Sequence, residues 1–277
     1  MSSSLPSVAA LDSEIQSVIR TAGDFARQEF EVFNFDTVEY KAENDPFTYV
    51  DVRTEELLKE GLSQLIPGAG FTTEEAKSQA TKNGWEWIID PIDGTSNFTH
   101  GIPHFSISVG LAYQKKMMAG YVFQPVGEVM YHAQKGQGAW ENERPLRISP
   151  RADLPYALVA TGFPYSDMGW RREWVDLVVN VLDAAHGVRR FGSAALDLAN
   201  VAAGRLDVFF EFNLKSWDVA AGSLLVQEAG GLVTDFQGGN DYIYGRQIVA
   251  SNGHLHAPML ALLEHFTALV FPPTGKS

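Results

Sequence analysis

Apolar positions fall at helical spacing in the first part of the chain. Ile15, Val18, Ile19, Ala22, Phe25 and Ala26 repeat every three to four residues, which predicts a helix over Asp12–Phe30 with one buried face. A second helix is expected over Asp51–Leu65. The period then drops to two. Phe105, Ile107, Val109 and Leu111 alternate with Ser106, Ser108, Gly110 and Ala112, the pattern of a half-buried strand. Strands are also expected near 120–124 and 128–133, followed by the turn KGQGAW and the segment ENERPLRIS.

Beyond about residue 150, short apolar strands alternate with helices. ALVATGF precedes a helix over 170–185. VRRF precedes a helix of small residues over 193–203. RLDVFFEF precedes the helix WDVAAGSLLVQEA, with Ser216 as the expected N-cap and Gly230-Gly231 as its stop. The strands GLVTDF and RQIVAS and a helix over 258–269 complete the chain. The pattern predicts an α+β half over 1–150 and an α/β half over 151–277, with sheets covered by helices. No flexible linker separates them, so one compact unit with a rigid interface is expected.

Composition narrows the function. The chain has 277 residues and is 45% hydrophobic, enough for a large core. It has no cysteine, which removes disulfides, thiolate zinc sites and thiol nucleophiles. The formal net charge is −13, and no Lys/Arg cluster offers the basic face that nucleic acid requires. No Lys or Arg precedes Arg20, and no apolar run approaches the roughly 18 residues of a membrane span. A soluble cytoplasmic protein without a membrane or nucleic-acid partner is expected. The sequon at Asn97-Phe98-Thr99 then has no consequence.

The candidate chemistry lies in WEWIIDPIDGTSNF. The strand WEWII is expected to end at Asp90, because Pro91 has no N–H for a central ladder. Asp93 follows within reach of the same point. Gly94 and Thr95 then expose backbone N–H groups suited to an anion. Glu74 and Glu75 leave a turn after a short strand, and Asp218 stands in the first turn of a helix. Taken singly, each is an ordinary turn or cap residue. Gathered together, carboxylates about 4 Å apart would repel by about 4 kcal/mol per pair at an effective dielectric near 20, and so require cations. A donor set of oxygens alone points to Mg²⁺. Such cations also let an acidic protein take an anionic substrate.

Other signals lack support. The tail Pro273–Ser277 resembles half a P-loop but has no helix to follow it. His100 and His104 flank a Gly-Ile-Pro loop, a poor frame for a metal site. No G-x-S-x-G is present.

Asp90–Phe98 resembles the signature D-P-[IL]-D-G-T-x-N-F of the inositol monophosphatase family, the lithium-sensitive, magnesium-dependent phosphatases. Trp217–Gly231 is similar to its W-D-x-A-A-G signature, Asp45–Asp51 to its D-x-x-T-x-x-D element, and KGQGAWENERPLRIS to its G-x-G-A-x-x-N-x-x-x-L stretch. Order and spacing agree over about residues 12–270. The resemblance implies a layered αβαβα sandwich, a homodimer, and two or three Mg²⁺ per active site. It implies metal ligation by Glu74, Asp90, the Ile92 carbonyl, Asp93 and Asp218. It implies that Asp51 and Thr95, with Glu74, direct the attacking water. Gly94 and Thr95 would hold phosphate, and Asp93, Gly192, Ser193, Ala194 and Glu211 would face the substrate.

Three positions depart from the pattern. Thr73 stands where the family usually has Gly before the Glu pair, Glu143 follows Asn142 where Asn-Gly is typical, and the basic residue of the early loop would be Lys41, at an irregular offset. The reaction implied is hydrolysis of a phosphate monoester, with inositol 1-phosphate first because Glu211 suits a polyol. Histidinol phosphate and fructose 1,6-bisphosphate are alternatives. Adenosine 3′,5′-bisphosphate fits less well, since its hydrolases carry Lys where Ser96 stands. A catalytically silent phosphate-ligand binding protein is the alternative of another class.

Overall fold

The structure, a computed structural model, describes residues 8–42, 45–163 and 169–270, and only the backbone of residues 37, 40–42, 45 and 46. The Lys41 side chain and the tail Pro273–Ser277 lie outside the described residues. The first helix, α1, is Asp12–Val32. A small hairpin of β1 (Glu39–Ala42) and β2 (Asp45–Phe47) leads into α2 (Tyr49–Leu65). Then come β3 (Gly70–Thr73), β4 (Trp85–Asp93), the short α3 (Thr95–Thr99), β5 (Ser106–Tyr113), β6 (Lys116–Gln124), β7 (Val129–Gln134), β8 (Ala139–Glu141) and β9 (Arg144–Pro145). The second half carries β10 (Leu158–Thr161), α4 (Arg171–Ala184), β11 (Gly187–Arg189), α5 (Ala194–Ala202), β12 (Val208–Phe212), α6 (Ser216–Glu228), β13 (Leu232–Thr234), β14 (Gln247–Ser251) and α7 (His256–Val270).

β3 to β9 form one sheet in sequence order, antiparallel except for the β3–β4 pair. The other large sheet has the order β11-β10-β12-β14-β13, with β10 parallel to both neighbours and β14 antiparallel to both of its own. α1 and α2 cover the outer face of the first sheet, where Ile15, Ile19, Leu58 and Leu62 pack with Trp87, Ile89 and Val109. α4 and α7 cover the outer face of the second, around Trp174, Phe210 and Phe266. α5 and α6 lie between the sheets, joining Val122 and Tyr131 of one to Phe209 and Ile248 of the other. The layers therefore run α-β-α-β-α. Among the described residues no helix is long and apolar enough to cross a membrane.

The middle layer explains two departures from the sequence pattern. β5 is buried on both faces from Ser106 to Ala112, not on one. Its alternation is one of size: the small residues give room to α6, and a Cβ on Gly110 would stand 3.2 Å from the Ala220 Cβ. α6 in turn has no polar stripe, and every residue from Val219 to Val226 is buried, as a helix enclosed on all sides requires. Gly120 permits that contact, because a Cβ there would lie 2.6 Å from the Ala221 carbonyl oxygen.

Candidate active site

β4 does not stop at Asp90. It runs on to Asp93, with Asp90 opposite Ser108 and Asp93 opposite Ser106, so three steps on β4 face two on β5. The extra residue makes a bulge, which accommodates Pro91 inside a central strand. The bulge also aims both aspartates inward, leaving Asp90 2% and Asp93 8% exposed. Asp90 Oδ1 accepts from the Ile92 N–H at 3.0 Å. Gly94 then turns the chain at φ 103°, in left-handed space that favours glycine. A Cβ there would sit 3.0 Å from the Gly192 carbonyl oxygen.

The Thr95 hydroxyl lies 3.1 Å from Asp51 Oδ1 and 2.9 Å from the Ile92 carbonyl oxygen, and its one proton serves either. Asp51 is held from its other side. Thr48 caps α2, and its N–H and hydroxyl donate to Asp51 Oδ2 at 2.8 and 2.6 Å. Burial pushes Asp51 up to about 6, against the Thr48 hydrogen bonds and with some help from Glu75.

Asp93 joins the first sheet to the middle layer. Its Oδ2 accepts from the Ser193 hydroxyl at 2.6 Å and the Ala195 N–H at 2.7 Å, and its Oδ1 from the Ala194 N–H at 3.3 Å. Gly192, Ser193 and Ala194 are thus brought against the Asp93 carboxylate. Asp218 enters from the start of α6. Its Oδ2 accepts from the Lys215 N–H at 2.6 Å, closing the helix N-terminus. Ser216 is the first helical residue and not the N-cap, a position that falls on Lys215.

The carboxylates meet electrostatically at Asp90. Burial raises its proton affinity well above the ordinary carboxylate range, and Glu74, Asp93, Asp218 and Asp51 each raise it further. Burial and Asp93 push Asp218 up to about 8. Glu74 acts on both Asp90 and Asp218, whereas Glu75 acts on Asp51. Among the described residues, no three His, Asp or Glu side chains are already closed around one point as a finished ion site. The donor set nonetheless fits a hard divalent cation. It consists of oxygens alone, and four other carboxylates add to the effect of burial on Asp90.

Glu211 lies farther along. It lines a cavity of about 110 Å³ with Asp93, Ser193, Thr161 and Asp218, and Gly162 leaves the space its carboxylate occupies. Burial pushes Glu211 up to about 8, opposed by the Arg190 guanidinium. Arg190 and Asp197 line the same cavity and were absent from the sequence reading. Asp197 is 2% exposed, and its Oδ1 has no hydrogen-bond partner. The sequence signal for Arg190 was its place two residues before Gly192-Ser193; Asp197 looked like one more residue of a small-residue helix. The His104 ring packs against Phe191, with centroids 5.3 Å apart and planes tilted by 37°.

Five alternating layers enclose a cleft lined by Asp93, Asp197, Glu211 and Asp218. The chain belongs to the inositol monophosphatase family, whose sequence model matches residues 8–267. It is 40% identical to the inositol-1-monophosphatase of Rhizobium meliloti (strain 1021) over 248 residues, covering 89% of this chain and 93% of the relative. It is 38% identical to the Nus factor SuhB of Escherichia coli (strain K12) over 243 residues, covering 87% of this chain and 91% of the relative. The crystal structure of the extragenic suppressor protein suhB from Bartonella henselae superposes with a TM-score of 0.88 at 37% identity, covering 92% of this chain and 98% of that one.

Proposed function

We propose that this chain hydrolyses phosphate monoesters of polyols, with inositol 1-phosphate as the leading substrate and magnesium as the cofactor. The observation that carries this reading is the convergence of Glu74, Asp93, Asp218 and Asp51 on the buried Asp90. Glu74, Asp90, the Ile92 carbonyl, Asp93 and Asp218 would hold the ions. Bound there, magnesium supplies Lewis-acid polarisation and neutralises charge on the phosphate.

The chain's own groups do the rest. Thr95, hydrogen-bonded to Asp51, orients a water on the phosphate side of the cleft, and Asp51 takes its proton through that hydroxyl. The N–H groups of Gly94 and Thr95 receive phosphate oxygens. Glu211 accepts from substrate hydroxyls in its cavity, beside Ser193 and Ala194. Asp93 holds the start of α5 in place and thereby couples the phosphate end of the cleft to the polyol end.

The test is phosphate release with magnesium, with and without lithium, from inositol 1-phosphate, histidinol phosphate, fructose 1,6-bisphosphate and adenosine 3′,5′-bisphosphate. Fastest release from inositol 1-phosphate, abolished by chelator, is expected. Preference for another ester would replace the substrate, and no release from any would leave a silent phosphate-binding protein. The names of relatives such as the Nus factor SuhB of Escherichia coli favour a second, nucleic-acid-associated role, which RNA binding by the Asp90→Asn variant would reveal. A homodimer is part of the proposal. α4 leaves Val175, Val179 and Leu182 exposed at helical spacing, an apolar stripe for a second copy to cover, which sedimentation would detect.

A further inference from the structure

Glu55 sits one turn after Asp51 on α2, so the two side chains lie on the same face, about 6 Å apart along the axis. It is a carboxylate only 3% exposed, and the chemistry above does not use it. Its Oε1 accepts from the Thr73 hydroxyl at 3.0 Å, and its Oε2 accepts from the Glu75 N–H at 2.9 Å. Lys59, a further turn along, stands 3.6 Å from Oε1 and balances the charge. The two oxygens therefore grip the residues on either side of Glu74. Thr73 is itself 3% exposed, and its hydroxyl supplies one of the two grips.

The same helix face holds the other side of the cleft, since Asp51 is hydrogen-bonded to Thr95. α2 thus spans two segments that are unconnected in sequence: the turn carrying Glu74, and the turn after Asp93 carrying Gly94 and Thr95. A straight helix keeps its side chains at fixed separation, so the distance between these turns is set by the Asp51-to-Glu55 spacing. A loop held only by its own backbone would lack that constraint, and the strand before Glu74 lies at the sheet edge, flanked by β4 and by a single antiparallel bridge between Phe71 and Gln79.

We propose that Glu55 and Thr73 are positioning residues for Glu74: the Glu55 carboxylate, bridging the Thr73 hydroxyl and the Glu75 amide, fixes the backbone of Glu74 against Asp90. Thr73 is then no passive replacement for a glycine but a working part of the clamp. The proposal rests on the reading of Glu74 as a magnesium ligand.

The experiment is calorimetric titration of magnesium into the metal-free full chain, without substrate, for the unsubstituted protein and for Thr73→Val, Thr73→Ser and Glu55→Gln. Thermal midpoints and amide exchange at Glu75 are measured on the same samples. Thr73→Val keeps the shape and removes the hydroxyl, while Thr73→Ser keeps the hydroxyl. Thr73→Val and Glu55→Gln are expected to weaken magnesium binding roughly ten- to hundred-fold and to speed exchange at Glu75, with Thr73→Ser close to the unsubstituted protein. Loss of thermal stability in Thr73→Val with magnesium affinity unchanged would make the contact merely structural and overturn the proposal. Absence of magnesium binding by the unsubstituted protein would overturn both this proposal and the functional reading on which it rests.

Discussion

The two ends of the cleft solve the problem of crowded carboxylates differently. At the Asp90 end, burial raises the proton affinity of the carboxylate, and four further negative charges add to that rise. At the Glu211 end, Arg190 opposes the rise in proton affinity of Glu211, Asp197 and Asp93 alike. One end has a cation supplied by the chain, and under the proposed function the other would take its cation from solution. A resident guanidinium would suit the polyol-binding end proposed above. An exchangeable divalent ion suits the place where phosphate charge must be offset.

The sharpest way to break this contrast is Asp90→Asn. Activity is expected to fall at least about 10²-fold, while the metal-free thermal midpoint is unchanged or raised, because a buried charge has been removed from among like charges. Near-normal turnover with magnesium present would contradict the assignment. The contrast also has a pH signature. In metal-free protein Asp218 and Glu211 bind protons with affinities near 8, and Asp51 near 6, against about 4 for unfolded carboxylates. The folded state then holds more protons than the unfolded state, so stability falls as pH rises from about 4 towards 8. Thermal midpoints should decline over that window, and magnesium should raise the midpoint more at pH 8 than at pH 5.

Smaller effects distinguish the polyol end. Arg190→Met should raise KM roughly ten-fold and change kcat less, since it removes the cation that opposes proton uptake by Glu211. Glu211→Gln should raise KM for inositol 1-phosphate by a similar factor while magnesium affinity, measured by titration, stays the same. The smallest effect expected is for Ser216→Ala. The Asp218 carboxylate already closes that helix end, so the change in stability should stay within about 0.5 kcal/mol by denaturant titration.

Much of the architecture was legible in one dimension. The helices α1, α2, α4, α5, α6 and α7 lie within a few residues of their predicted spans; for α1, α2 and α4 a buried face repeats at helical period because the opposite face meets water, whereas α5 and α6 are buried almost all round. The pattern misled where a third layer intervened. Ser106, Ser108 and Gly110 look solvent-facing in a strand, yet α6 covers them. Pro91 looked like a strand end, but a bulge carried the strand past it. The spacing of Asp90 and Asp93 was visible because the two are close along the chain. The surroundings of Glu211 were not visible, since Arg190, Gly162 and Asp197 come from other elements and each had an ordinary local explanation.

Local order along the chain was thus enough to establish the elements, the family signatures and the candidate acids, since each depends on neighbours a few residues apart. Only the packed structure decided that Asp90 lies within the field of Glu74 and Asp218, that the Glu75 N–H meets Glu55, and that Arg190 lines the cavity of Glu211. A carboxylate's proton affinity is set by burial and by charges within a few ångströms, and those charges were brought together by layers whose contacts span most of the chain.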